Sequence, residues 1–397
     1  MTWVANLVET TTGRIGTQLS IGTPGSWAWP LNGLESFDVT VSKEQLRQLT
    51  PNWYTPFQAS VMISRVMRDG TVRPLIAGPI VSPPEETRYS GKLECEGIGA
   101  LLARRVVLDR DYGPGEEGAL TSSLLAYTGM SYGTIMQEVV ERATVGRLGG
   151  TIPIRFASPR EVRSTLRQRT YEGHNLRNNG AWKRLTELSA VEAGPDFQFR
   201  PEYADESGTY MQWALYHGTH AQPTIEQHWT MDIDTTAERS ALSDLTVTQD
   251  ASSMNNRTYF TGAGKGAGLL VRIRQNDAQL AAGMPLMEYV GADSDTENAG
   301  LLAQKAAAAI TIGAAPRTQI SAKIDLEDPR TELGRWRVGD AAMLTIGDEW
   351  LCLPAGRKPY RIISAKGTWA SPEVTLEFQP DRPALTDTES SSEEEES

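Results

Sequence analysis

The sequence predicts an α+β, mainly β fold: two small β-barrel domains with a helical and mixed insertion between them. Three observations predict it. Apolar residues alternate with period two through the first hundred and the last hundred and forty residues, which gives each strand one buried face. A period near 3.6 replaces it between about 109 and 192. The 36 glycines and 22 prolines favour many turns and short strands over long helices.

Residues 1–108 form the expected first barrel-like domain. "RIGTQLSI" alternates Ile15, Thr17, Leu19 and Ile21; "SFDVTVS" alternates Phe37, Val39 and Val41; "FQASVMIS" alternates Phe57, Ala59, Val61 and Ile63. Between them "SKEQLRQLTP" carries a capping box, Ser42 with Gln45, and stops at Pro51, so one short helix is expected inside the β region. "LIAGPIVSPP" and "GKLECEGIGALLARR" add strands, turned at Pro83-Pro84 and Gly91.

Residues 109–192 form the expected helical insertion with a basic loop. Ile135, Met136, Val139, Val140 and Ala143 line one face of a helix that Ser131 caps. A second helix carries Trp182, Leu185, Leu188 and Val191 and ends at Gly194-Pro195. Over 193–244, "DFQFRPEY" and "TYMQWALYHG" give strands that return to or flank the first barrel. The second barrel-like domain, 245–380, begins with "LTVTQD" and "RTYFTG" and takes one helix, with Thr296 as N-cap and Gly313 and Pro316 at its end. Four closely spaced strands follow, ending in "EVTLEFQP", a pattern that closes into a barrel or sandwich. Residues 381–397, rich in Ser and Glu, lack the apolar content needed to fold and are expected to be a disordered acidic tail.

A chain with 39% hydrophobic and 22% charged residues is expected to be soluble and folded. Cys95 and Cys352 suggest neither a disulfide framework nor a zinc site. No apolar run approaches the ~18 residues of a membrane span, so synthesis in the cytoplasm is expected. A net charge of -12 argues against DNA binding.

"YFTGAGKGAGLL" is not a P-loop, because Lys265 is followed by Gly266 and Tyr259 stands where the first glycine belongs. A dinucleotide site requires a following helix, and "LLVRIRQND" is strand-like, so a Gly loop between strands, ordering at a subunit contact, is expected. His217 and His220 sit three apart at a strand end and lack metalloprotease geometry; His174 and His228 add no motif. Asp232 and Asp234 form one acidic pair among 50 acidic residues. No catalytic constellation, metal or cofactor is predicted. Between Arg155 and Arg184 lie eight basic residues, Arg163, Arg167 and Arg169 among them, against Glu161 and Glu172. Arginine's planar fork suits an acidic neighbour, with a solvated loop as the plainer alternative. Trp27 and Trp29 point to one face, as core or as an interface anchor.

"WAWPLNGLESFDVTVS", "LIAGPIVSPP" and "GKLECEGIGALLARRVV" resemble the opening of minor tail proteins of long, non-contractile-tailed phages of actinobacteria. "AWKRLTELSAVEAGPDFQFRPEY" is similar to their helix-then-strand unit, and "RWRVGDAAMLTIG" with "EVTLEFQP" to their closing barrel, over most of residues 10 to 380. The resemblance implies a tail-hub-like structural protein of the virion, without enzymatic activity. It implies a homotrimeric ring at the tail tip that continues the sixfold tube and passes DNA. Its partners would be a distal tail or tail tube protein, the tape-measure protein and other minor tail or receptor-binding proteins. Trp27, Trp29, Arg163, Arg167, Arg169 and Lys265 are the candidate interface residues. A hexameric distal tail protein and a tail-associated cell-wall hydrolase are the competing readings, with a free-standing carbohydrate-binding module behind them.

Overall fold

In the computed structural model, which describes residues 3–22, 25–191, 193–227, 229–292 and 299–380, the chain divides into two compact units. The first comprises residues up to Leu245 with Ala322–Glu349 and the chain from Ala355; the second is Thr246–Ser321 with Trp350–Pro354. The expected acidic tail, the expected cap Thr296 and His228 lie outside the described residues.

The first unit is built on a strand no local pattern distinguishes. Gly356–Thr368 pairs along one edge with Glu373–Pro380. Its other edge is shared: the first half pairs with Ala341–Ile346 and the second with Ser26–Pro30. Beyond Ser26–Pro30 come Ser36–Ser42, Ser90–Glu96 and the short Glu85–Glu86; beyond Glu373–Pro380 come Arg317–Asp325 and Leu242–Asp250. Met231–Asp234 joins in parallel to Ala341–Ile346. The strands of the expected first and last domains thus share one ten-stranded sheet.

No sheet among the described residues closes into a barrel, which corrects the expectation of two small barrels. The physical reason is the shared edge of Gly356–Thr368. A bulge between Ile362 and Ser364 offsets its two halves, and a different partner takes up each half instead of the sheet curling onto itself. The 245–380 segment also falls in both units rather than forming one domain.

A four-stranded antiparallel sheet, in the order Ile15–Leu19, Trp3–Glu9, Ala59–Val66, Val72–Pro79, completes the β framework of the N-terminal region. The helix at Lys43–Gln48 starts where expected, with Ser42 Oγ accepting from Gln45 N–H at 3.2 Å. "GIGALL" is a short helix at Gly99–Leu102 rather than the expected strand, and it buries Ala100 and Leu102.

The insertion is mixed. Helices Tyr132–Thr144 and Ala181–Ala190 form as predicted, and Ser131 Oγ caps the first by accepting from Thr134 N–H at 3.2 Å. Two strands missing from the prediction, Leu124–Met130 and Arg167–Glu172, pair antiparallel and bury Leu125, Tyr127 and Tyr171 against these helices. Phe197–Tyr203 and Met211–His217 form the expected hairpin, joined in parallel by Ile154–Phe156. One core, with Ile135, Val139, Leu185, Phe197 and Trp213 almost fully enclosed, fastens the insertion to Val8, Met62 and Ala77 of the four-stranded sheet.

The second unit is a small α/β arrangement. Arg257–Thr261 lies between Val271–Gln275, antiparallel, and Glu288–Ala292, parallel. Helix Ala299–Gly313, ending at Gly313 as predicted, buries Leu302 and Ala306. Buried Asn255 and Asn256 tie the corners: Asn256 Nδ2 donates to Pro285 O at 2.8 Å and its Oδ1 accepts from Met287 N–H at 2.9 Å.

Candidate functional site

Folding divides the basic segment into two classes. Arg155 grips Glu202 with both arms of its guanidinium, Nη2 to Oε2 at 2.8 Å. Arg160 meets Glu138 and Glu141, and Lys183 and Arg184 meet Glu187 at 3.9 and 2.7 Å. Those charges are compensated by carboxylates that the insertion's own helices and the hairpin strand Phe197–Tyr203 bring to them. Arg163, Arg167, Arg169 and Arg177 have no carboxylate in ion-pair range among the described residues.

Two of these four gather around one aromatic ring, and a third lies beside the same strand end. Tyr132, the first residue of the long helix, accepts a 2.8 Å hydrogen bond from Arg169 Nη2 on its hydroxyl, and its ring lies 4.7 Å from the Arg169 guanidinium and 5.6 Å from that of Arg167. Arg167 is the register partner of Met130, and Arg163 N–H donates to Gly129 O at 2.8 Å, so both arginines flank the end of the same strand. Arg163 and Arg167 are exposed, as is the neighbouring Val162 at 61%. Stacking holds the guanidinium planes without neutralising them, which leaves a positive surface with an apolar rim.

Trp27 and Trp29 are 5% and 2% exposed, so this chain's own residues cover them and the interface alternative is set aside for both. Trp27 stacks on Trp369 at 6.3 Å, and Trp369 meets Trp3 edge-on at 5.1 Å. The cluster gathers the first strand, the third strand and the turn before the last strand, and only Trp27 of its three members was singled out in the sequence. Trp369 Nε1 donates to Asp38 O at 2.7 Å, satisfying its buried polar atom.

Lys265 sits at the exposed tip of a hairpin loop between Arg257–Thr261 and Val271–Gln275. Gly264 and Gly266 take φ of +117° and +57°, which glycine adopts without strain, and the loop closes through Gly262 N–H to Leu270 O at 2.7 Å. A single 3-10 turn at Gly266–Gly268 and then a strand follow, in place of the helix N-terminus that a pyrophosphate site uses.

His217 is buried and fully engaged: its ring nitrogens lie 2.8 Å from Gly218 O and from Gln137 Nε2, which fits an Nδ1–H donor and an Nε2 acceptor. Burial holds its pKa below the usual histidine value. Gly133 makes the close approach possible, since a Cβ there would stand 2.1 Å from His217 Nδ1. Asp232 pairs with Arg357 at 2.8 Å, while Asp234 is held below the usual carboxylate range by the Thr236 hydroxyl. Asp234 is therefore not poised as a proton donor. No cluster of three potential metal ligands exists among the described residues.

A groove of about 650 Å3, absent from the sequence reading, lies on the polar face of the ten-stranded sheet. Its lysines are compensated: Lys92 by Glu94 at 3.2 Å, Lys323 by Asp244 at 2.8 Å and Lys366 by Glu377 at 3.3 Å. A trough of alternating paired charges offers polar contacts along its length and no concentrated field.

No family model and no curated protein matches the sequence. Solved structures do match. A tail protein from Neisseria meningitidis MC58 is similar over 96% of this chain and 97% of its own, at 12% identity and a TM-score of 0.54. The 43 kDa tail protein of prophage MuSo2 from Shewanella oneidensis is similar over 96% and 98%, at 10% identity and 0.53. The chain has the fold of these tail proteins. It also spans 54% of a chain in the lidded Francisella PdpA–VgrG complex, with 97% of its own length aligned, at 7% identity and 0.52.

Proposed function

We propose that this chain is a structural protein of a phage tail, placed at the tail tip as the hub that joins the tube to the receptor-binding parts. The observation that supports it is the likeness to two tail proteins over nearly the whole of both chains. The sequence resemblance to minor tail proteins of long-tailed phages supports the finer placement at the tip. In this reading three copies form a ring, a distal tail or tail tube protein sits above it, and the tape-measure protein ends on it. Receptor engagement then shifts the ring between two packings so that DNA passes. An acidic chain suits that passage, because it does not hold phosphate electrostatically.

The contacts in such a ring would be polar and salt-sensitive where Arg163, Arg167 and Arg169 meet an acidic neighbour, and Lys265 would lie at a chain contact. The reading assigns no bond-breaking step to any residue. A phage lacking this protein is expected to stall tail assembly at the tip, which electron microscopy of lysates and plaque counts would reveal. Normal-length, infectious particles from the deletion strain would overturn the proposal.

A further inference from the structure

The arginines around Tyr132 are a cationic surface without a counter-charge, and the same chain carries an anionic segment of matching kind. Residues 381–397 lie outside the described residues, and between 387 and 396 they hold Asp387, Glu389, Glu393, Glu394, Glu395 and Glu396. We propose that in the free chain this acidic C-terminal segment docks on its own arginine patch at Arg163, Arg167 and Arg169.

Three observations support that occupant. The first is charge: the guanidinium forks of Arg167 and Arg169 lie at the Tyr132 ring, that of Arg163 is exposed beside them in sequence, and with no carboxylate in ion-pair range among the described residues they are set to receive carboxylates in pairs. The second is connection. Pro380 is the register partner of Tyr360, and the adjacent Arg361 pairs with buried Asp196 at 2.5 Å. Asp196 O accepts from Gly218 N–H at 2.9 Å, and His220 N–H donates to Glu161 Oε2 at 2.9 Å, next to Val162 and Arg163. The point of departure and the patch are therefore joined by four neighbour contacts within the first unit. The third is reach: an extended chain covers ~3.4 Å per residue, so the segment from 381 to 396 spans roughly 54 Å. The six residues 381–386 that precede the acidic run supply roughly 20 Å of that span, and the run itself the rest. Tethering places the carboxylates at an effective concentration in the millimolar range, so modest intrinsic affinity suffices for occupancy.

The test uses a fluorescein-labelled peptide with the sequence TDTESSSEEEES and full-length protein, read by fluorescence anisotropy. Two proteins are compared: the natural chain, and a full chain carrying Asp387→Asn, Glu389→Gln, Glu393→Gln, Glu394→Gln, Glu395→Gln and Glu396→Gln. The neutralised chain is expected to bind the peptide about tenfold more tightly, because its patch is vacant. That gap should not change with protein concentration, and binding should vanish in about 0.5 M salt. Adding Arg163→Glu and Arg167→Glu to the neutralised chain should abolish binding, with the milder Arg163→Gln and Arg167→Gln pair as the check if the reversed charges disturb folding. Equal affinity for the two chains, or binding that survives both arginine pairs, would overturn the proposal. A gap that grows with protein concentration would place the segment on a second copy and overturn docking on its own patch.

Discussion

Asn32 holds together parts of the chain that are 164 residues apart in sequence. It turns at φ +56°, a conformation asparagine tolerates better than most residues, and its side chain then works in both directions. Nδ2 donates to Asp196 Oδ1 at 2.7 Å and Oδ1 accepts from Phe197 N–H at 2.7 Å. Asn32→Ala removes both bonds beside the buried Asp196–Arg361 pair and the polar side chain that lets asparagine tolerate left-handed backbone, for an expected loss of about 2–4 kcal/mol. Asn32→Gly should recover about 1 kcal/mol of it, the backbone part alone. Urea denaturation of the three proteins measures both, and an Asn32→Ala variant as stable as the natural chain would show that the turn does not depend on these bonds. Nothing local in "WAWPLNG" says that its asparagine reaches Asp196. Glu35, two residues past the turn, is 6% exposed, and burial pushes its carboxyl up to about 8. An unfolded glutamate ionises near 4.5, so between pH 4.5 and 8 the folded state holds the extra proton. Stability from this group is thus full at low pH and lost as pH rises through that window. Glu35→Gln keeps the shape and removes the slope, so the variant should gain on the natural chain by up to about 1.4 kcal/mol per pH unit, read from melting temperatures at pH 5 and pH 8. Parallel curves for the two proteins would contradict it.

At the scale of elements, period-two alternation located most strands, and the Ser42 and Ser131 caps located two helix starts, because those signals are local. Pairing is not local. Ser26–Pro30 lies beside residues 364–368, more than three hundred residues away, and the alternation of Trp27 and Trp29 fits a strand in any sheet. Arg167–Glu172 was missed for a different reason: its arginines face an aromatic ring on a neighbouring helix, so a strand with one working face reads as a polar loop. The candidate site shows the same limit. The eight basic residues were visible, but which are neutralised depends on Glu138, Glu187 and Glu202 arriving from other elements. The tryptophan cluster makes the non-local pairing testable. Trp369→Ala removes the ring between Trp3 and Trp27 and should cost about 3–5 kcal/mol in denaturant unfolding, while Tyr89→Ala, at a 75% exposed site, should change stability by no more than about 0.5 kcal/mol. Equal effects at the two sites would remove the cluster from the account of how the ends of the chain are joined.

At the scale of the molecule, the two expected barrels become one long open sheet with a helical insertion in the first unit and a separate small α/β unit. The second unit's sheet carries its helix on one face. On the other, the register aligns Ile273, Tyr259 and Val290 in a row, with Ile273 52% and Val290 68% exposed. An exposed apolar row of this kind marks an interaction surface. The proposed threefold ring can be read by light scattering on the purified full chain with electron-microscope class averages from the same peak. Three times the chain mass and threefold averages are expected; a sixfold ring, or a chain that stays monomeric at every concentration, would refute the ring.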